Sequence, residues 1–267
     1  MNPPDISIRN HLFDLTGRHA LITGGGGGIG AALSAGFATY GADVACIDLT
    51  EEIARRGAAQ AQAAGRCGLA IACDVREPDE VDGAVAKVLD KFGSIEILVN
   101  LAGKGILKPA ADFTLYDWEQ TVNTYLRGTF LFCQVVGKGM CGQRRGSIIN
   151  VSSVSSVVAL GRGTAAYSAV KAGINALTRE LAVEWAQLGV RVNAIAPCQI
   201  DTPQLHSVLT DPQFDQDKLM RTWLEAIPLG RLGKPEDLMG PCIFLASDAS
   251  GLITGHVLMA DGGYTIK

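Results

Sequence analysis

The sequence predicts an α/β fold, doubly wound about one parallel sheet of about seven strands. Three observations predict it. Short apolar runs alternate with longer amphipathic stretches along all 267 residues, the rhythm of strands joined by helical crossovers. The runs are nearly continuous in hydrophobicity, as strands covered on both faces must be. No composition shift, flexible linker or internal repeat divides the chain, so a single domain over 1–267 is expected.

In chain order, the strand candidates are 19–23, 43–48, 68–73, 95–100, 147–152, 190–196 and 256–260. Helical patterns fall between them at 28–40, 51–64, 77–91, 114–138, 165–188 and 236–246. The clearest lies at 167–188, where Val170, Ile174, Leu177, Leu181, Trp185 and Leu188 recur at three- and four-residue steps. That spacing draws one apolar stripe along a helix. The rhythm breaks between the last two strands. Residues 202–235 hold Pro203, Pro212, Pro228 and Pro235 around one helix-like piece at 217–226. They read as an irregular insertion, suited to a substrate lid over the strands' carboxyl ends; a pair of surface loops is the alternative.

Composition excludes several function classes. With 48% hydrophobic residues there is ample material for a core, yet no apolar run approaches the roughly 18 to 20 residues that cross a bilayer. Residues 1–15, an N-terminal extension with Asp5, Arg9 and Asp14, lack the apolar centre of a secretion signal. A net charge of −4 without blocks of like sign gives no reason to expect nucleic acid or membrane as partner. Seven cysteines, an odd number with no Cys-x-x-Cys pair, read as reduced thiols in a cytoplasmic protein. No His/Cys/Asp cluster has metal-ligand spacing. A small-molecule substrate is the expected partner.

The glycine-rich stretch at 23–30, TGGGGGIG, follows the first strand directly and precedes an apolar helix. Glycines there permit a tight turn whose backbone N–H groups approach a pyrophosphate at the helix N-terminus, the Rossmann arrangement. Asp48 closes the second strand, 18 residues after Gly30. A carboxylate so placed accepts hydrogen bonds from the adenosine ribose and repels a 2′-phosphate. Gly27 precedes Gly28 and Leu49 follows Asp48, so neither position offers a cation to that phosphate. NAD is therefore expected over NADP.

Further motifs follow in order on this strand-helix pattern. Thr23, Gly24, Gly28 and Gly30 form Thr-Gly-x-x-x-Gly-x-Gly; Asp74-Val75 follows the third strand, and Asn100-Leu101-Ala102-Gly103 the fourth. Asn123 lies in Thr-Val-Asn-Thr, Ser152-Ser153 in Asn150-Val-Ser-Ser, and Tyr167-Ser-Ala-Val-Lys171 opens a helix. Arg191-Val-Asn193 leads through Pro197-Cys198 to Thr202, and Asp261-Gly262-Gly263 closes the series. Singly none is specific, since i,i+4 pairs such as Tyr167 and Lys171 often only share a helix face. In this order they make the chain, from Leu15 to its end, resemble the short-chain dehydrogenase/reductase family.

The resemblance implies an NAD-dependent enzyme that interconverts a secondary alcohol and a ketone. It implies a catalytic set of Asn123, Ser153, Tyr167 and Lys171. Around NAD it places Gly24, Gly28, Ile29, Gly30, Asp48, Asp74, Val75, Asn100, Ala102, Gly103, Tyr167, Lys171, Pro197, Ile200 and Thr202. Proton removal by a tyrosine, whose pKa is ordinarily about 10, requires that value to fall toward the working pH. Lys171 lies one helical turn away and supplies a cation, helped by the positive nicotinamide ring; a two-unit drop needs about 2.7 kcal/mol of phenolate stabilisation. By resemblance Lys171 also bonds the nicotinamide ribose, Ser153 holds the substrate oxygen, and Asn123 helps anchor a water that relays protons to Lys171. A homotetramer, built partly through 114–138 and 165–188, is implied as well.

Three positions depart from the family pattern. Leu101 replaces a second Asn, and Cys198 replaces the usual Gly beside the nicotinamide. Ser153 stands 14 residues before Tyr167, one more than the common spacing, which leaves Ser155 as a rival; the register of Asn150 and Ser152 favours Ser153. The Phe13-Asp14-Leu15-Thr16-Gly17 opening and the overall length are similar to the family's sugar, polyol and sugar-acid dehydrogenases. Lys104, Lys108 and Arg162 would suit an anionic substrate if they converge, though solvated loop cations are the commoner fate. Gln199, His206 and Trp223 are further pocket candidates. A 3-oxoacyl-thioester reductase is the rival substrate class, which Asp48 disfavours because such enzymes commonly use NADP. A non-catalytic NAD-binding protein is the rival function, which the Tyr167–Lys171 pair disfavours.

Overall fold

The computed structural model describes residues 11–161, 163–210 and 215–267. Residues 1–10 of the expected extension, and Arg162, lie outside the described residues. The strands are β1 (His19–Thr23), β2 (Asp43–Asp48), β3 (Gly68–Ala72), β4 (Ile97–Asn100), β5 (Gly146–Val151), β6 (Val190–Pro197) and β7 (Val257–Ala260). They form one sheet in the order β3-β2-β1-β4-β5-β6-β7, with every neighbouring pair parallel.

Alternation of side chains explains the continuous hydrophobicity. On β1, Ala20 and Ile22 join a core with Leu33 and Phe37, whereas Leu21 faces the opposite core with Phe132 and Ile148. Both faces are dry, so both sets must be apolar. The helices that cover them are α1 (Gly28–Thr39), α2 (Glu51–Ala63), α3 (Pro78–Phe92), α4 (Leu115–Thr121), α5 (Gly128–Gln143), α6 (Ala165–Trp185) and α9 (Met239–Ala246). Asn193 ties the last strand down: its Oδ1 accepts the His256 N–H at 3.0 Å, and its Nδ2 donates to Ile253 O at 2.9 Å.

Two features differ from the sequence expectation. The single helix expected at 114–138 is interrupted by a π-helical turn, Val122–Arg127, between α4 and α5. There the Gly128 N–H reaches back to the carbonyl of Asn123. An extra residue in a helical turn re-aims the side chains around it and recurs at functional positions. Hydropathy does not reveal it, because apolar residues continue across the break. Second, the 202–235 insertion contains two helices, α7 (Pro203–Leu209) and α8 (Gln216–Ala226), where one was expected. Thr202 starts α7 by accepting the Leu205 N–H on Oγ1 at 3.2 Å, and Pro203 fills the first turn, where no donor is needed. Leu209, Leu219 and Trp223 pack into a small apolar cluster of their own.

Because β1 and β4 are neighbours, the crossovers leave them to opposite sides, and a crevice opens at their carboxyl ends. Thr23, Asp48, Asn100, Val151 and Pro197 all terminate strands on this edge. Among the described residues, no helix is long and apolar enough to cross a membrane.

Candidate active site

A cleft of about 660 Å³ runs along this edge, lined by Asp48, Asp74, Val75, Gly103 and Thr202 among others. Its floor is the glycine turn between β1 and α1. A Cβ on Gly26 would stand 1.9 Å from the carbonyl oxygen of Ile53, so only glycine allows so close an approach. Asp48 braces the turn, accepting the Gly26 N–H on Oδ2 at 3.1 Å and the Leu49 N–H on Oδ1 at 3.0 Å. A glycine cradle at a helix N-terminus with a carboxylate at the next strand end fits a nicotinamide dinucleotide. Asp74 is held by Arg76, whose Nη2 lies 2.5 Å from Oδ2 and whose guanidinium keeps that carboxyl below its usual range. Arg76 also bonds Gln120, and Arg56 of α2 lines the same cleft.

A second cavity, of about 260 Å³, shares Ile29, Leu101, Gly103 and Thr202 with the cleft. Helix α6 delivers Tyr167 and Lys171 to it, one turn apart. Lys171 is only 4% exposed and donates from Nζ to the Val151 carbonyl at 2.6 Å. The same ammonium lies 4.6 Å from the centroid of the Tyr125 ring and 5.5 Å from that of Tyr167. The two rings meet edge to face at 5.3 Å. Gly103 makes room for this stack, since a Cβ there would sit 2.0 Å from Tyr125 Cε1. Ser153 lines the same cavity as Tyr167 and accepts the Ser155 N–H on Oγ at 3.2 Å.

Burial sets the electrostatics. It pushes the Tyr167 phenol up, with the Ser153 hydrogen bond pulling the other way, and it brings Lys171 down from 10.5 to about 7. The sequence expectation was a phenol lowered by Lys171 together with the nicotinamide ring; in the protein alone burial raises it. The lysine charge is directed at Val151 O and lies over the ring face, so desolvation of the phenolate dominates. Tyr125 is pushed well above its ordinary value, chiefly by burial, and Gln204 from α7 lines the same cavity.

Most residues singled out in the sequence meet at these two walls. Gly24, Gly28, Ile29, Gly30, Asp48, Asp74, Val75, Ala102, Gly103 and Thr202 line the cleft; Ser153, Tyr167, Lys171, Pro197 and Ile200 line the cavity. Asn100 stands behind the wall, donating from Nδ2 to Asn150 Oδ1 at 2.9 Å. The turn after it keeps its shape despite Leu101, because Thr23 Oγ1 accepts the N–H groups of Leu101 and Ala102 at 3.1 and 3.2 Å. Asn123 lies on the π turn and on neither wall. Ser155 is buried off the cavity with its Oγ unpartnered, while a 3-10 turn, Val154–Ser156, takes up length in the loop before Tyr167. The Cys198 thiol lines the cavity and is pushed up to about 11, mainly by burial.

Of the cations considered for an anionic substrate, Lys104 and Lys108 do not share the cavity wall. Lys108 is paired with Asp117 at 2.9 Å, Lys104 lines the cavity, and Arg162 lies outside the described residues. Gln199 and Trp223 line the cavity, whereas His206 pairs with Asp201 at 2.5 Å on the exposed side. Sequence reasoning missed Tyr125, Gln204, Arg56 and Arg76. Only the position of Tyr125, two residues beyond Asn123, gave a signal.

A family model described as enoyl-(acyl carrier protein) reductase matches residues 25–265. D-threitol dehydrogenase of Mycolicibacterium smegmatis is 42% identical over 96% of this chain and 95% of that protein. The chain belongs to the short-chain dehydrogenase/reductase family. NAD-dependent glycerol dehydrogenase of Listeria innocua, another relative, is 37% identical over 96% of each chain. A solved short-chain type dehydrogenase/reductase from Mycobacterium marinum superposes with a TM-score of 0.90 at 33% identity, over 97% of this chain and 99% of that one. The protein is thus an oxidoreductase of this family, working with a nicotinamide cofactor.

The buried lysine makes a prediction about stability. The folded protein holds the Lys171 proton less tightly than the unfolded chain does. The charge therefore weighs fully against folding below about pH 7, and less as pH rises toward 10.5. In the cofactor-free protein, Lys171→Met should gain most stability over wild type near about pH 6.5, with the gain shrinking by about pH 9.5 in urea titrations. A difference that is flat, or that grows with pH, would contradict the burial of this ammonium.

Proposed function

We propose that the protein is an NAD-dependent dehydrogenase interconverting a secondary alcohol of a polyol or sugar with the corresponding ketone. One observation carries the reading: Tyr167 and Ser153 line one small cavity that adjoins the nucleotide cleft, with Lys171 buried beside the Tyr167 ring. When bound, the nicotinamide takes up or gives the hydride. Ser153 holds the substrate oxygen. Tyr167 takes its proton during oxidation and returns it during reduction. Lys171, brought to about 7, can lose and regain a proton near neutrality and so refill or drain the phenol. Asn123, on the π turn two residues from Tyr125, anchors a water on the path to Lys171. Because the phenol is raised in the protein alone, the remaining stabilisation of the phenolate would fall to the positive ring of a bound cofactor.

NAD rather than NADP is supported by Asp48, which presents a carboxylate where a 2′-phosphate would lie. Arg56 is exposed, so solvent screens its charge. The same carboxylate weighs against a 3-oxoacyl-thioester reductase. A neutral polyhydroxylated substrate fits a cavity from whose wall Lys108, paired with Asp117, is withdrawn, and the threitol and glycerol dehydrogenases support it by similarity. Lys104 on the wall favours a second reading, a sugar acid. Helices α7 and α8 serve as the lid, since Leu205, Val208, Leu219 and Trp223 close one side of the cavity. Exposed Leu115, Tyr116, Trp118, Phe130 and Val183 on α4, α5 and α6 support a homotetramer. All seven cysteines are free, which suits the reducing cytoplasm.

Tyr167→Phe should lower polyol oxidation by about a thousandfold while NADH affinity stays within about twofold, read by steady-state kinetics and fluorescence titration. Retention of a tenth of the activity would remove Tyr167 from the proton transfer. Asp48→Ser should shift the ratio of kcat/KM for NAD over NADP at least about tenfold toward NADP, since a like-charge contact is relieved. An unchanged ratio would show that Asp48 does not face the ribose.

A further inference from the structure

Helix α6 carries a third polar side chain on the face that presents Tyr167 and Lys171. Asn175 follows Lys171 by one turn and is 5% exposed. Its Nδ2 donates to Ser156 Oγ at 2.8 Å, which leaves the Ser156 hydroxyl proton for the Ser153 carbonyl, 2.6 Å away. The Ser156 N–H donates to the same carbonyl at 3.0 Å, closing the 3-10 turn Val154–Ser156 directly behind Ser153. Within that turn the Ser155 N–H donates to Ser153 Oγ at 3.2 Å. On the other side, Ser152 Oγ donates to the Lys171 carbonyl at 3.3 Å. Ser153 is therefore tied from both sides to the helix that carries Tyr167 and Lys171.

Stability alone does not account for the amide. Asn175 Oδ1 is buried with no hydrogen-bond donor among the described residues. A leucine of nearly the same size, and a better helix former, would remove that cost. What leucine lacks is the Nδ2 donor. Without it the Ser156 hydroxyl can rotate away, and the turn loses its tie to α6. The effect reaches Ser153 Oγ, which accepts the Ser155 N–H of that turn and so keeps its own proton for an oxygen in the cavity. A reacting group displaced by about 1 Å can lose about a hundredfold in rate.

We propose that Asn175 is a positioning residue: acting through Ser156, it fixes the turn that aims the Ser153 hydroxyl at the reacting oxygen, in register with Tyr167. This rests on the dehydrogenase reading, in which Ser153 holds the substrate oxygen.

Asn175→Leu should lower kcat for polyol oxidation at least about tenfold, keep NADH affinity within about twofold, and leave Tm unchanged or raised. In the Ser153→Ala background the same substitution should change kcat by less than about twofold, because the residue acts through Ser153. Ser156→Ala should match the loss, and Ser156→Thr, which keeps the hydroxyl, should restore kcat to within about threefold of wild type. That pair decides the matter should the leucine variant fold poorly. Hydrogen exchange across residues 153–157 gives a readout free of turnover and should quicken at least about tenfold in Asn175→Leu. An undiminished kcat, an equal loss with and without Ser153, failure of Ser156→Thr to restore what Ser156→Ala loses, or unchanged exchange would each overturn the assignment. If wild type oxidises no polyol, the dehydrogenase reading fails, and the exchange rates still decide whether Asn175 holds the turn.

Discussion

An ammonium group withdrawn from water must find its stabilisation within the protein, and around Lys171 several parts of the fold are arranged to provide it. The Val151 carbonyl, at the end of β5, accepts from Nζ at 2.6 Å, and the Tyr125 ring lies 4.6 Å below. These contacts leave the charge underpaid relative to water, so the lysine's proton is loosely held. That loose proton is what the proposed chemistry needs from it. The glycine at 103, the π turn that presents Tyr125, and the register of α6 are intelligible as means of closing the site around this lysine.

The same constraint explains how cleft and cavity are joined. Strand ends of a parallel sheet lie on one edge, so residues distant in the chain arrive together: Asp48 from β2, Asn100 from β4, Ser153 beyond β5, Gln199 beyond β6. A phosphate-binding turn and a proton-handling helix thereby open on one crevice without a second domain. Helix α7 reaches this crevice too, with Gln204 lining both cleft and cavity and Thr202 at its start beside Gly28. The insertion is thus in contact with both the nucleotide cleft and the reacting cavity.

Much of this was legible in the residues alone. Strands buried on both faces write themselves as continuous apolar runs, and each expected strand lies within two residues of the observed one. Glycines needed for backbone approach, the acid at the end of β2, and the Tyr167–Lys171 spacing are local features with local causes. What could not be read is tertiary. Tyr125 matters because it meets Gly103 and Lys171, Lys108 is withdrawn from the pocket because Asp117 meets it, and Arg56 enters the cleft because α2 packs beside the glycine turn. The π turn leaves no hydropathy trace, and α7 is too short for a period to declare itself. Even the sign of the tyrosine shift depended on knowing how deeply the phenol is buried.

The most direct test is reduction of NAD and NADP by the purified protein across polyols, sugars, sugar acids and hydroxyacyl thioesters. NADH formation with a neutral polyol or sugar, and much weaker NADPH formation, is the expected result. Silence across the panel while NAD still binds, or activity confined to NADP with a thioester, would contradict it.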